Sequence, residues 1–151
     1  MRTSKKTTPQ ARGLREGYRS GLEEVVAAAL KERGFKNVYE TLKIHYVKPA
    51  RESTYTPDFP LPNGIVVETK GRFTTEDRQK HKWIKEQHPD LDVRFVFSNS
   101  RNKLSKKSKT TYADWCNQYN FQYHDKVIPD DWLKEPKNTS ALKALNQATK
   151  K

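Results

Sequence analysis

The sequence predicts an α/β domain with a mixed central sheet flanked by helices. Two long segments place apolar residues at helical spacing, several short runs alternate or cluster apolar residues over strand length, and the two kinds of segment interleave along the chain. No internal repeat is present.

Residues 1–17 are polar, basic and patternless, and read as disordered. Ser20 reads as a helix N-cap with Glu23 as its capping-box partner. Leu22, Val25, Val26, Ala29 and Leu30 follow at helical spacing, and Gly34 ends the run. Leu42, Ile44 and Tyr46 alternate with Lys43, His45 and Lys48, predicting a half-buried strand closed by Pro49. Residues 54–61 and 65–70 read as two strands joined by Pro62-Asn63-Gly64. Thr74 or Thr75 caps a second helix running to about His88, where Pro89 breaks it. Residues 92–98, with Val93, Phe95, Val96 and Phe97, read as a central strand. A basic loop over 99–109, a short helix over 111–119, a last strand over 121–128 and a capped turn at Pro129-Asp130-Asp131-Trp132 complete the order.

Apolar residues are 33% of the 151, so a core requires their concentration in the middle of the chain, helped by three Trp, seven Tyr and six Phe. The net charge of +12 is unevenly placed: residues 1–19 and 101–109 carry +5 each and 134–151 carry +4, around a nearly neutral body. Clustered Lys and Arg favour a polyanionic partner, whose phosphates release counterions when neutralised. The lone Cys116 excludes an internal disulfide or a Cys-rich zinc site. His45, His81, His88 and His124 lack zinc-ligand spacing and read as surface or core residues, and Trp83, Trp115 and Phe95 as core. No run approaches transmembrane length, and the basic start has no apolar stretch behind it, so an intracellular protein is expected.

The chemistry concentrates in the hairpin. Pro suits the second position of a type I turn and Gly the left-handed residue after it, favouring a three-residue loop at 62–64 over a two-residue Asn-Gly turn. Leu61 then pairs with Ile65, and Asp58 lies opposite Glu68 with Lys70 on the same side. A slip of one residue would send Glu68 to the other face. Two facing carboxylates repel. Lys70 alone can offset this in a surface ion-pair cluster; the alternative is a hard cation such as Mg²⁺, which favours one or two carboxylates plus waters and phosphate. Lys70 would then orient or deprotonate a water, or neutralise developing charge.

Pro57-Asp58, followed by Glu68-Thr69-Lys70, resembles the PD-(D/E)xK nuclease motif, and the element order is similar to that restriction-endonuclease-like core. A wider set is similar to the phage endonuclease I family of four-way junction resolvases: Arg19-Ser20-Gly21-Leu22-Glu23, Tyr55-Thr56-Pro57-Asp58, Pro62-Asn63-Gly64-Ile65, Val67-Glu68-Thr69-Lys70-Gly71, Glu86-Gln87-His88-Pro89 and Trp132-Leu133-Lys134-Glu135-Pro136-Lys137. The resemblance covers about 18–137, leaving 1–17 and a basic tail, 138–151, outside it. It implies a structure-selective endodeoxyribonuclease that hydrolyses phosphodiesters in branched DNA. It further implies catalytic roles for Glu23, Asp58, Glu68 and Lys70, and two Mg²⁺ ions per site, with Mn²⁺ as a substitute and no organic cofactor. An intertwined, domain-swapped homodimer is implied too, bridged at about 46–53 around Pro49, with Glu23 joining the partner's Asp58, Glu68 and Lys70. A phage origin would place the protein in the host cytoplasm, with no membrane partner.

From the residues alone, Glu23 is divided between its cap on Ser20 and a ligand role, and the matched segment favours metal or water binding. Thr69 is expected to offer its backbone carbonyl to metal, its side chain pointing away from Asp58. For DNA contact the candidates are Arg19, Arg72, Arg78, Lys80, Lys82, Arg101, Lys103, Lys106, Lys107 and Lys109. The 101–109 run is the sharpest of these, because its charges repel unless phosphates face them. Phosphate contacts would position duplex arms without reading sequence. The alternatives are another PD-(D/E)xK nuclease, mismatch-nicking or restriction-type, and a non-catalytic basic nucleic-acid-binding protein.

Overall fold

The computed structural model describes residues 21–36, 38–48 and 51–150. The expected disordered segment, Arg19 and the Ser20 cap lie outside the described residues. The chain divides into two compact units, Met1–Lys36 and Asn37–Lys151.

In the first unit, helix α1 spans Gly21–Glu32 and buries Glu23, Val26 and Leu30 along one stripe. Glu23 and Glu24 in the first turn and Lys31 in the last complement the helix dipole. Val25 departs from the expected apolar face and is exposed, because it sits about 100° around the helix from Val26. Gly34 ends the helix as expected: at φ +86° it turns the chain so that the Phe35 amide donates to the Leu30 carbonyl at 3.0 Å.

The second unit begins with a hairpin of β1 (Ile44–Lys48) and β2 (Arg51–Tyr55), antiparallel from Ile44↔Tyr55 to Lys48↔Arg51. The segment expected as a bridge, about 46–53, is the end of this hairpin, so within one chain it turns back on itself. The single strand expected over 54–61 is two. Pro57 has no N–H to give a ladder, so pairing stops at Tyr55 and resumes only at β3 (Phe59–Pro60).

β3 opens a four-stranded sheet with β4 (Ile65–Lys70), β5 (Asp92–Phe97) and β6 (Tyr123–Asp125), in the order β3-β4-β5-β6. β3 and β4 are antiparallel, and the β4–β5 and β5–β6 pairs are parallel, so the sheet is mixed as expected. Helix α2 (Thr75–Gln87) makes the first parallel crossover and α3 (Tyr112–Gln118) the second. Both begin with capping boxes, Thr74 with Asp77 and Thr111 with Asp114, which satisfy otherwise orphaned amides. β5 is central, and Val93, Arg94, Phe95, Val96 and Phe97 are all buried. Its rings join Phe73, Tyr112, Trp115 and Phe121 in an aromatic core, with Phe73 to Phe95 at 5.0 Å and Trp115 stacked on Phe121 at 5.4 Å.

The last strand is shorter than the expected 121–128, because Lys126 takes a positive φ of 69° and ends the ladder. A short helix, α4 (Asp130–Lys134), follows Pro129. The segment 138–151 is not simply a basic tail. It contains α5 (Thr139–Thr149), capped by the Asn138 side chain, with Ala141, Leu145 and Ala148 buried at helical spacing. Leu145 and Ala148 belong to the core, and α5 packs on β1.

Candidate active site

The hairpin turn sets the site. The Leu61 amide donates to the Ile65 carbonyl at 2.7 Å, the Gly64 amide donates to the Leu61 carbonyl at 3.1 Å, and Gly64 has φ +101°. The loop therefore has three residues, 62–64, and the ladder runs Phe59↔Val67 and Pro60↔Val66. One step further out, Asp58 comes abreast of Glu68, the expected register.

The turn is braced from the C-terminal side. Asn63 Nδ2 donates to the Trp132 carbonyl at 2.8 Å and the Glu135 carbonyl at 3.2 Å, and the Asn138 amide donates to the Asn63 carbonyl at 3.0 Å. Buried Arg94 on β5 donates to the carboxylates of both Asp92 and Glu135 and lies against the Trp132 ring. The Trp132–Lys137 motif thus holds the turn rather than the reacting groups.

Asp58, just before β3, and Glu68, on β4, are buried at 1% and 4% exposure. Burial first, and the Asp58 charge second, push the Glu68 carboxyl up to about 8, against the pull of Lys70, the Tyr55 hydroxyl and Lys80. Lys70 Nζ stands 3.8 Å from Glu68 Oε1 and 3.2 Å from Asp77 Oδ1. Burial pushes the Asp77 carboxyl up, but the Lys70 charge and its bonds to Thr74 outweigh this and hold it below the usual range.

Thr69 differs from expectation. Its amide and its Oγ1 both donate to Asp58 Oδ2, at 2.9 and 2.7 Å, so its side chain meets Asp58 rather than pointing away. The cause is local: Asp58 precedes the first laddered residue, and its carboxylate turns onto the Thr69 amide. Glu23 belongs to the first unit, buried on α1.

Two further residues stand beside the site. Tyr55, fully buried, donates its phenol hydroxyl to Glu68 Oε2. His81 on α2 is equally buried among Tyr55, Phe95 and Phe121, with no hydrogen bond to either ring nitrogen. Burial, with the charges of Lys70 and Lys80, holds it well below the usual histidine range and therefore neutral. Tyr55 lies three residues before Asp58 in the matched Tyr55-Thr56-Pro57-Asp58 segment, which was its signal, whereas His81 had none.

The DNA-contact candidates divide. Arg101, Lys103, Lys106, Lys107 and Lys109 are all exposed. Their loop is structured: the Leu104 amide donates to the Thr110 carbonyl and the Tyr112 amide to the Asn102 carbonyl, both at 2.9 Å. Arg72 is exposed directly after β4. Arg78 is committed to the start of α2, donating to the Phe73 carbonyl and Thr75 Oγ1. Lys80 and Lys82 lie over the rings of Tyr55 and Tyr119, at 4.9 and 4.6 Å. The Glu86-Gln87-His88-Pro89 motif seals the open edge of β1: Gln87 Oε1 and Nε2 bind the Val47 amide and carbonyl, both at 2.6 Å, and His88 Nε2 meets the His45 carbonyl at 2.6 Å.

The family model described as phage endonuclease I matches residues 4–151. The chain belongs to the phage endonuclease I family. The match extends the resemblance beyond 18–137 to both ends, including α5. The chain is 53% identical over 129 residues to Endonuclease I of Escherichia phage T7, covering 84% of this chain and 87% of that one. It is 52% identical over 120 residues to Endodeoxyribonuclease 1 of Enterobacteria phage T3, covering 80% and 79%. The family member described here is thus an endonuclease, which sets aside the non-catalytic alternative. Among its described residues no helix is long and apolar enough to cross a membrane.

Proposed function

We propose that this endonuclease is a divalent-metal-dependent homodimer that resolves four-way DNA junctions by cutting opposing strands. The observation that carries the reading is the buried Asp58–Glu68 pair, set just beyond the β3–β4 ladder with Lys70 beside Glu68. A pair of buried carboxylates whose charges disfavour each other is relieved by a hard cation, and two carboxylates with waters and phosphate suit Mg²⁺ or Mn²⁺. Among the described residues no three His, Cys, Asp or Glu side chains converge as a metal site. In this reading a further carboxylate comes from Glu23 of the partner subunit.

When bound, metal supplies a water acidic enough to attack at neutral pH and Lewis-acid stabilisation of the leaving oxygen. Asp58 and Glu68 would hold it, with the Thr69 carbonyl as a further ligand and the partner's Glu23 joining them for a second ion. The two donors of Thr69 fix Asp58 Oδ2. Lys70, held between Glu68 and Asp77, would orient the attacking water and neutralise charge on the phosphate. The five exposed cations of 101–109, with Arg72, would grip duplex arms through phosphate, favouring branch shape over base sequence. The link between β1 and β2 is two residues long, and opening this short hairpin would carry one half of the chain into a partner, producing the intertwined dimer.

The test compares a four-way junction, a mismatched duplex and a matched duplex, each with and without Mg²⁺, beside a sedimentation run. Paired cuts in the junction alone, requiring metal and made by a dimer, support the reading. Preferential nicking of the mismatch, or sequence-specific cutting of matched duplex, assigns another activity. Asp58→Ala should bind the junction and fail to cut it.

A further inference from the structure

We propose that Tyr55 is a positioning residue for Glu68, tethering one carboxylate oxygen so that the other is presented to the metal site. This rests on the metal reading above. The Tyr55 hydroxyl donates to Glu68 Oε2, while Oε1 is the oxygen 3.8 Å from Lys70 Nζ. The two oxygens are thus distinguished: one meets a neutral donor inside the core, the other faces the charged side of the site.

Tyr55 is built for this. It is the last residue of β2, where the ladder pairs it with Ile44 of β1. The His81 ring meets it edge-on at 5.0 Å and 83°, and Lys80 Nζ sits 4.9 Å from its ring centroid. The side chain has 0% exposure, which leaves the phenol one way to lie. A buried carboxylate free to rotate would bind metal in several geometries, whereas one held by a rigid donor keeps a single geometry. A phenol serves where a lysine would not, because it adds no competing charge at a cation site. The ordinary alternative is a core tyrosine satisfying its hydroxyl on the nearest acceptor. That reading predicts an effect on stability and none on metal.

Tyr55→Phe retains the ring and removes only the hydroxyl. Calorimetric titration with Mn²⁺ should show affinity about ten- to hundredfold weaker than wild type, the range found when partners of metal ligands are lost. The Mg²⁺ concentration for half-maximal junction cutting should rise in parallel. A double-mutant cycle with Glu68→Gln separates action through Glu68 from general damage: with the carboxylate gone, removing the phenol should cost no further metal affinity. An unchanged Mn²⁺ isotherm and metal dependence in Tyr55→Phe would overturn the proposal, as would equal losses with and without Glu68. If Tyr55→Phe is unfolded at assay temperature, the hydroxyl is structural and the proposal fails. Wild-type protein that takes up no Mn²⁺ defeats the metal reading itself, a distinct result.

Discussion

Lys70 stands nearer to Asp77 than to Glu68, with Nζ 3.2 Å from one carboxylate and 3.8 Å from the other. Asp77 is also the third residue of α2 and closes the capping box with Thr74. One carboxylate therefore anchors the start of a helix and the ammonium of the proposed active site. Asp77→Ala should destabilise the protein by about 1 kcal/mol through the lost cap and lower single-turnover cutting about tenfold by freeing Lys70. Thr74→Ala loses the cap and keeps the ion pair, so it should show the stability loss with most of the cutting retained. Equal cutting defects in the two variants would show that Asp77 acts on the helix alone.

Glu68 gives the metal-free protein a distinctive pH dependence. Its carboxyl titrates near 8 when folded, against 4.5 as the ordinary value, so between these the folded chain holds a proton that the unfolded chain has released. Stability of the metal-free protein should fall as pH rises through that window, by on the order of a few kcal/mol, and level off above it. Glu68→Gln should flatten the fall. Metal uptake at pH 7 should release close to one proton and weaken as pH drops. Melting curves in chelator across pH 5–9, with calorimetry in buffers of different ionisation enthalpy, check both statements. A profile that is the same in Glu68→Gln would refute the assignment.

Gly64 is constrained twice, by conformation and by space. At φ +101° a side chain is strained, and a Cβ there would lie 3.3 Å from Ala141 Cβ and 3.4 Å from the Asn138 carbonyl oxygen. Gly64→Val should cost about 1–3 kcal/mol for the backbone alone, with more from displacing α5, and should slow cutting by disturbing the Asp58–Glu68 register. Asn63→Ala tests the brace separately. Losing its bonds to the Trp132 and Glu135 carbonyls should lower the melting temperature by several degrees, since about 1–3 kcal/mol accompanies each buried group left unpaired. Wild-type melting and cutting in both would mean the turn does not govern the site.

If each site is shared between chains, inactive Glu23→Ala and inactive Glu68→Ala proteins should regain cutting when co-expressed. In an exchanged heterodimer both lesions fall in one composite site and the other is intact. Such a heterodimer should nick one strand of a junction without making the paired cut. Isolated heterodimers that never nick would exclude a shared site.

Much of this architecture was legible in the sequence because it is written in local chemistry. The Pro62-Asn63-Gly64 loop, the cap of α2 at Thr74 and the central run Val93–Phe97 each follow from nearest-neighbour rules, and the register of Asp58 with Glu68 follows from the loop. What escaped depends on where ladders stop. Pro57 divides one expected strand in two, and the freed Asp58 carboxylate turns onto Thr69 in a way that alternation alone does not foresee. The α5 helix was hidden by charge: Ala141, Leu145 and Ala148 have helical spacing and Asn138 a capping side chain, yet the basic flanks suggested a tail. Tyr55 and Gln87 stand in segments matched to the family, yet their contacts escaped because no local pattern marks which side chain binds across the fold.

The brace on the Asn63 turn also ties an early part of the chain to a late one. Its donors and acceptors, from Trp132 to Asn138, are made well after Asp58 and Glu68. A nascent or prematurely ended chain carries the carboxylates and the lysine but lacks the clasp that secures their alignment. Chains cut before Trp132 should therefore hold the turn loosely and cleave poorly, even though every proposed site residue is present.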